Sequence, residues 1–180
     1  KLTWAKRIVV VDSFSADETE AICRRFPQVE FVQRKFESFA DQCNFGLTLI
    51  RTPWVLSLDA DYVLSDGLVS ELQSMPSVSH LAGYSVRFVY CVCGRPLRAS
   101  LYPPRIVLYR REQARYRDDG HCHRVQIEGE IGNLRGTIYH DDRKPLSRWL
   151  QMQDRYATLE ARKLLTTPPA ALRLRWGLDP

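Results

Sequence analysis

Two carboxylates, Asp59 and Asp61, directly follow a run of mostly apolar residues at 54–58. The run predicts a buried strand of a parallel sheet, and ligands of open α/β sheets bind where such strands end. In an extended chain the two side chains share one face, with Cα atoms about 6.6 Å apart (two rises of ~3.3 Å). One carboxylate could then hold a divalent cation with substrate phosphates, and the other a sugar hydroxyl. An acidic turn before a helix cap at Ser65 is the structural alternative.

The surrounding residues predict the elements that must position this pair. Strand and helix patterns alternate through the first half of the chain, as in an α/β domain with parallel strands. Asp17 can cap the first helix, and prolines 27 and 76 end the first and third helices. The predicted strands are 8–11, 29–32 and 54–58, and the predicted helices are 17–26, 39–50 and 65–74.

The second half predicts antiparallel strands and one long helix. Strands at 83–92 and 97–101 form a hairpin around residues 94–96, and further strands follow at 106–109 and 134–139. An amphipathic helix begins after Pro145 and runs to about Leu165. We therefore expect a single domain over residues 1–180. Its parts are an N-terminal region of about 1–75, an antiparallel region of about 80–142, and a C-terminal helix of about 145–166 with a basic tail.

The positive charge of the chain is concentrated at its C-terminal end. The net charge is +5, and residues 143–180 alone hold eight Lys or Arg against three Asp or Glu. This segment also carries Leu172, Leu174, Trp176 and Leu178, a combination that favours contact with an anionic membrane. Nucleic acid would normally require a basic patch with exposed stacking aromatics, so we expect no nucleic-acid partner. A solvated helix face is the structural alternative.

The cysteines and the hydropathy predict the compartment. Five cysteines form no regular framework, which favours a reducing compartment. The chain has no export signal and no apolar run of about 18 residues, so we expect a cytoplasmic protein, peripheral on the membrane at most. Cys91, Cys93 and the His-Cys-His run at 121–123 suggest zinc, but their spacing is not that of a zinc ribbon. Buried thiols are the favoured interpretation.

Four ordered motifs, at residues 9–19, 44–47, 54–61 and 139–146, together resemble family 2 glycosyltransferases of the GT-A fold. The resemblance is greatest to bacterial lipopolysaccharide-core glycosyltransferases related to β-1,4-glucosyltransferases. It implies an α/β fold with a mixed, mainly parallel sheet and an antiparallel acceptor side. It also implies transfer, with inversion, of a hexose or heptose from a nucleotide-diphosphate sugar to a hydroxyl of a glycan or lipid-linked glycan.

The resemblance assigns roles to individual residues. Asp61 and His140 would bind Mg²⁺ or Mn²⁺, since a histidine at a strand end beside carboxylates is a good borderline metal ligand. A hydrogen-bonded structural histidine is the alternative for His140. The donor would be bound by residues of three loops and one helix, namely Asp12, Ser13, Ser15, Asp17, Arg34, Asn44 and Asp59.

An inverting transfer also needs a general base for the acceptor hydroxyl. Gly120 can bend the chain and turn the carboxylate of Asp119 inward, whereas Asp118 would point the other way along the strand. Relatives commonly have a His-Glu pair near this point, where this chain has Cys122-His123. Asp119 is therefore the first candidate, Asp118 the second and His123 the third, with a polar loop as the structural alternative.

The chain departs from the family pattern at its start. Relatives begin with an additional strand and helix, about 30 residues on the scale of a βαβ unit, and their extra strand lies between those at 8–11 and 54–58. Without it the sheet would have an unpaired central edge. A non-catalytic nucleotide-sugar-binding remnant is therefore the leading alternative, and a phosphatase or other metal hydrolase is the third. The sequence leaves the donor, the acceptor and the oligomeric state open.

Overall fold

The N-terminal part of the molecule is a small parallel β-α-β unit. The computed structural model describes residues 1–76, 78–98, 103–120, 122–141 and 143–167. Strand β1 (Ile8–Asp12) pairs in parallel with β2 (Val29–Gln33). Helix α1 (Thr19–Cys23) connects them and ends earlier than predicted. The carboxylate of Asp17 accepts from the amide of Thr19, 3.0 Å away, and so helps to start the helix.

Two further helices are capped by serines, of which the sequence predicted Ser65. Helix α2 (Phe39–Leu49) begins at Ser38, whose hydroxyl accepts from the amide of Asp41. Strands β3 (Trp54–Leu56) and β4 (Tyr62–Leu64) precede helix α3 (Asp66–Ser74), which is capped by Ser65. The Ser65 hydroxyl also accepts from the amide of Thr137, so the cap ties α3 to the sheet.

The remaining strands build a six-stranded mixed sheet and a separate hairpin. Strands β5 (Gly83–Val92), β6 (Arg95–Pro96) and β7 (Arg105–Arg110) come first in the chain. Strands β8 (Ala114–Asp119) and β9 (Cys122–Ile127) form the hairpin, and β10 (Ile131–Asp141) returns to the sheet. The sheet order is β3-β7-β5-β10-β4, with β6 paired to β5. Only β5 and β10 run parallel within it.

Three expectations about the strands are corrected. Strand β3 stops at Leu56 and pairs antiparallel with β7, so the prediction of a longer parallel strand is wrong. The hairpin after β5 turns at Cys93 and Gly94, both with positive φ, and its return strand is Arg95–Pro96. Residues 99–102 of the predicted return strand lie outside the described residues. His140 lies inside β10 rather than after it.

Strands β1 and β3 each have one unpaired edge within the described ranges. β1 pairs only with β2, and β3 pairs only with β7. These are the two strands between which the sequence resemblance predicts an additional strand. The first half of the molecule is consequently not one mainly parallel sheet.

The core lies between α3 and the large sheet. Its most buried side chains come from β4, α3, β5, β7 and β10 and include Leu64, Leu68, Val86, Phe88 and Ile138. β10 carries an irregularity between residues 133 and 137, where α3 packs closest. There the carboxylate of Glu71 accepts from the amides of Arg135 and Gly136. These two backbone amides therefore have hydrogen-bond partners although the strand pairing is interrupted.

The strand directions place one end of the sheet next to the candidate residues. β3, β5 and β10 finish at this end, while β4 and β7 begin there. β3 and β4 lie at opposite edges, so residues 57–61 must cross the end of the sheet. The Asp59 and Asp61 segment therefore spans the ligand-binding end of the sheet.

Helix α4 (Leu146–Thr166) is the last element described. It has no fully buried residue, and Lys163 near its end forms an ion pair with Asp119 of β8. No helix in the described ranges is both long and apolar enough to cross a membrane. The predicted apolar tail with Leu172, Leu174, Trp176 and Leu178 lies outside the described residues.

Candidate active site

Asp61 and His140 lie side by side because their strands pair. β4 runs antiparallel to β10, and Tyr62 is opposite His140. The carbonyl of Asp61 accepts from the amide of Asp141, 3.1 Å away. Nε2 of His140 lies 3.1 Å from Oδ2 of Asp61, and the rings of Tyr62 and Tyr90 pack edge-on against the imidazole. The structure brings the two predicted metal ligands together, and their binding of a metal stays a prediction.

The geometry of this pair fits a divalent ion. Oδ1 of Asp61 is buried and has no hydrogen-bond partner among the described residues. Burial raises the pKa of Asp61, but the hydrogen bond and charge of His140 and the charge of Lys144 outweigh it, so the pKa lies below its usual value. No group of three or more His, Cys, Asp or Glu suited to a metal occurs in the described ranges. Two protein ligands suit Mg²⁺ or Mn²⁺, which keep waters and bind substrate phosphates.

The two aspartates do not share an extended face. The amide of Tyr62 donates to the carbonyl of Asp59, 3.1 Å away, so residues 59–62 form a turn. The prediction of extended geometry is wrong because the chain reverses direction between β3 and β4. The side chain of Asp59 is exposed, and its charge acts on His123. Asp61 instead contacts His140, so the two carboxylates serve neighbouring parts of the site.

The loop after β1 is organised by Asp12. Its carboxylate is buried and accepts from the amide and hydroxyl of Ser15, at 2.9 and 2.5 Å, and from Gln33. Burial raises the pKa of Asp12, but these hydrogen bonds outweigh it and leave the pKa below its usual value. Ser13 accepts from Gln42 of α2. Asp12 therefore shapes the predicted donor loop from within, while Ser13 and the exposed side chain of Asp17 lie on its outer side.

The other two predicted donor contacts, Arg34 and Asn44, are used inside the protein. Arg34 forms an ion pair with Asp41 (2.7 Å), and its guanidinium lies over the ring of Phe45. Nδ2 of Asn44 donates to the carbonyl of Tyr116 (3.0 Å), and the amide of Tyr116 donates back to Oδ1 (2.9 Å). Asn44 thus pairs with the edge of β8 as another strand would. Donor binding by these two side chains stays a prediction, and for Asn44 the geometry weighs against it.

Asn44→Ala is expected to lower stability while leaving donor affinity unchanged. The substitution removes the hydrogen-bond partners of the amide and the carbonyl of Tyr116, a buried residue. Each unsatisfied backbone group costs about 1–3 kcal/mol of stability. Urea unfolding measures the loss of stability, and calorimetry with nucleotide-diphosphate sugars measures affinity. Thr48→Ala is the control, since its hydroxyl bonds only to Phe45 in the same helix. A folded Asn44→Ala protein with donor affinity reduced tenfold or more would restore the donor-binding role.

Asp118 and His123 form a second polar cluster near Asp59. The two residues lie opposite each other across β8 and β9. The imidazole of His123 stacks on the ring of Phe39, with centroids 5.4 Å apart. Burial lowers the pKa of His123; Asp59 and Asp118 oppose this shift and Arg105 adds to it. The imidazole is therefore neutral at neutral pH and can accept a proton.

Arg105 joins the two halves of the site. Its guanidinium donates to the hydroxyl of Tyr62 (3.0 Å) and to the carbonyl of His123 (3.2 Å). Tyr62 adjoins Asp61, so Arg105 connects the Asp61–His140 pair to the β8–β9 hairpin. The side chain of Arg105 is half-buried, and both of its partners belong to the site.

Asp119 occupies a different place from Asp118. Its carboxylate forms ion pairs with Lys163 of α4 and with Arg124 of β9, one through each oxygen. Two cations stabilise the ionised form, which makes the group a weaker proton acceptor. The bend at Gly120, with φ of 67°, turns the chain toward α4 instead of toward Asp59. These contacts weigh against Asp119 and favour Asp118, which shares the cluster with Asp59, and the choice of base among Asp119, Asp118 and His123 stays a prediction.

No sequence pattern indicated the residues that hold this cluster together. The hydroxyl of Tyr116 donates to that of Ser57 (2.8 Å) and shares a hydrogen bond with Tyr109 (2.8 Å). Ser57 follows β3 and begins the crossing segment that carries Asp59. An aromatic at a strand position predicts core packing, so only the structure shows that Tyr116 also anchors this segment.

The cysteines do not form a zinc site within the described residues. All five are free. Cys91 is buried and Cys93 is exposed at the turn. Burial, with the negative charge of Asp59 as the next contribution, raises the pKa of Cys43 to about 12. His121 of the suggested His-Cys-His group lies outside the described residues.

Comparison with known families identifies the chain at the level of sequence. The profile of the family described as "Glycosyl transferase family 2" matches residues 5–126. The match spans β1 to β9 and so includes Asp59, Asp61, Asp118 and His123.

Proposed function

The chain belongs to glycosyl transferase family 2 and is a glycosyltransferase of the GT-A-like α/β class, and we propose that it transfers a sugar with inversion from a nucleotide-diphosphate donor to a glycan hydroxyl. The contact of Asp61 with His140, beside an orphaned carboxylate oxygen, is the observation that carries this proposal. A binding-only protein would have no need of a second, proton-accepting cluster joined to this pair.

On the donor side, the proposal assigns Asp61 and His140 to a Mg²⁺ or Mn²⁺ ion. When bound, the ion would supply positive charge that stabilises the departing diphosphate. The side chain of Asp59 is exposed at the same sheet end and is assigned to a hydroxyl of the ribose or sugar. The loop shaped by Asp12, with Ser13, Ser15 and Asp17, would enclose the nucleotide.

On the acceptor side, Asp118 is the proposed general base. One of its oxygens accepts weakly from the amide of Ala40 (3.3 Å), and the other makes no hydrogen bond within the described ranges. The side chain is exposed and lies opposite a neutral imidazole. It can therefore take the proton of an acceptor hydroxyl as that oxygen attacks the anomeric carbon.

The acceptor class and the location rest on the sequence resemblance and on charge. We propose a lipopolysaccharide-core or other lipid-linked glycan as acceptor, and the inner face of the cytoplasmic membrane as the place of reaction. The basic C-terminal end of the chain supports this location.

Turnover of purified chain is the test of this function. With UDP-, GDP- and ADP-linked sugars and Mn²⁺, one donor is expected to release nucleoside diphosphate, and EDTA is expected to stop the release. With an oligosaccharide acceptor, NMR should show a product of inverted anomeric configuration. Binding of donors without turnover would favour the non-catalytic alternative. Hydrolysis of phosphate monoesters without sugar release would favour a phosphatase.

A further inference from the structure

Helix α4 carries two apolar stripes on different faces, and only one of them packs on the protein. Its half-buried residues Met152, Tyr156, Leu159 and Lys163 recur at spacings of three and four, as a helix face packed on a domain requires. Lys163 on this inner face forms the ion pair with Asp119. This ion pair links the inner face of α4 to the β8–β9 hairpin.

The outer stripe faces away from the body of the protein. Leu146, Leu150 and Leu165 are 71%, 55% and 87% exposed, and Leu164 is 39% exposed. On a helical wheel of 100° per residue these leucines fall within one arc of about 100°, together with Ala157 and Ala161. Asp154 is the one charged residue in this arc. Such an exposed apolar stripe on a long helix calls for a partner surface.

The charges of α4 favour an anionic partner. Arg148, Arg155 and Arg162 recur every seven residues and so form a line along the helix, away from the outer stripe. All three are exposed. Residues 143–153 contain three basic residues and no acidic one, and the sequence at 168–180 adds two arginines against one aspartate. Leucines on one face, arginines on another and a tryptophan at the helix start are the composition of a helix that lies in a membrane interface.

We propose that α4 lies in the plane of an anionic lipid surface, with Leu146, Leu150, Leu164 and Leu165 in the lipid and its arginines at the headgroups. Long arginine side chains can reach the headgroups from the flank of the helix. Its inner face meanwhile holds the hairpin that carries Asp118 and His123. If the proposed function holds, this arrangement brings the proton-accepting cluster close to a lipid-linked acceptor.

Vesicle binding without any donor tests this inference independently of catalysis. The protein is expected to co-sediment with phosphatidylglycerol-containing vesicles, less with pure phosphatidylcholine, and less as salt increases. Leu146→Ser combined with Leu150→Ser should weaken binding by about tenfold or more, since both side chains lose their burial in lipid. Val78→Ser is the matched control, because Val78 is 85% exposed and lies outside α4.

Three results would overturn the inference. The first is unchanged vesicle binding by the double variant, and the second is binding that does not depend on the anionic lipid content. The third is a concentration-dependent dimer of the wild type that the double variant does not form. The last would assign the outer stripe to a second copy of the chain. A wild-type protein that binds vesicles but turns over no donor would leave this inference standing and contradict the proposed function.

Discussion

Asp61→Ala is expected to abolish metal-dependent donor binding, with a loss on the order of a hundredfold or more, since it removes the carboxylate from the proposed pair of metal ligands. The pKa of Asp61 lies below its usual value of 3.8, so the carboxylate is ionised throughout the neutral range. Its buried Oδ1 has no partner among the described residues, which leaves a lone pair for a cation. The removal of this carboxylate should therefore lower the affinity for metal and donor, independently of any effect on the transfer step.

Calorimetry with Mn²⁺ and the donor identified by turnover measures this effect. Asp141→Asn is the matched control, because that carboxylate lies next to His140 in sequence but is held by Arg143 and the amide of Gly94. The control should bind metal and donor like the wild type. An Asp61→Ala protein with unchanged metal affinity would remove Asp61 from the site.

The sequence predicted both Asp61 and His140 at strand ends, although β3 stops at Leu56 and His140 lies inside β10. Strand ends follow from local patterns of apolar residues, and the resemblance supplied the pairing of two segments that are far apart in the chain. Local patterns allowed either an acidic turn or an extended segment at residues 59–62 and did not decide between them. It depends on β3 and β4 lying at opposite edges of one sheet, which the order of later strands decides.

The choice between Asp118 and Asp119 shows the same limit at the scale of one residue. The sequence indicated that only one of the two carboxylates faces the site, since neighbours on a strand point to opposite sides. Which one does so depends on the pairing of Asp118 with His123 and on the docking of Lys163 from a helix 44 residues later. Asn44 is a related case, because its side-chain amide bonds to the backbone of Tyr116, a residue 72 positions later in the chain.

Asp118→Asn is expected to lower turnover by roughly 10²- to 10⁴-fold while leaving donor affinity intact. A sugar hydroxyl is a poor nucleophile unless its proton is accepted as the new bond forms, and an amide cannot accept it. The donor is bound by other residues, so the loss should appear in kcat rather than in donor Kd. Single-turnover transfer to a glycan acceptor, with donor calorimetry on the same preparation, measures both quantities.

Asp119→Asn is the matched comparison, since it makes the same replacement of a carboxylate by an amide at the neighbouring residue. It weakens the ion pairs with Lys163 and Arg124, so the expected effect is a loss of stability and of α4 docking with a turnover reduced by less than tenfold. His123→Gln, which retains a polar side chain of similar reach, should lie between the two because the imidazole adjoins Asp118 across the strands. A folded Asp119→Asn protein that binds donor and has lost transfer would return the base to Asp119. If His123→Gln alone is inactive while both asparagine variants turn over normally, the neutral imidazole accepts the proton itself.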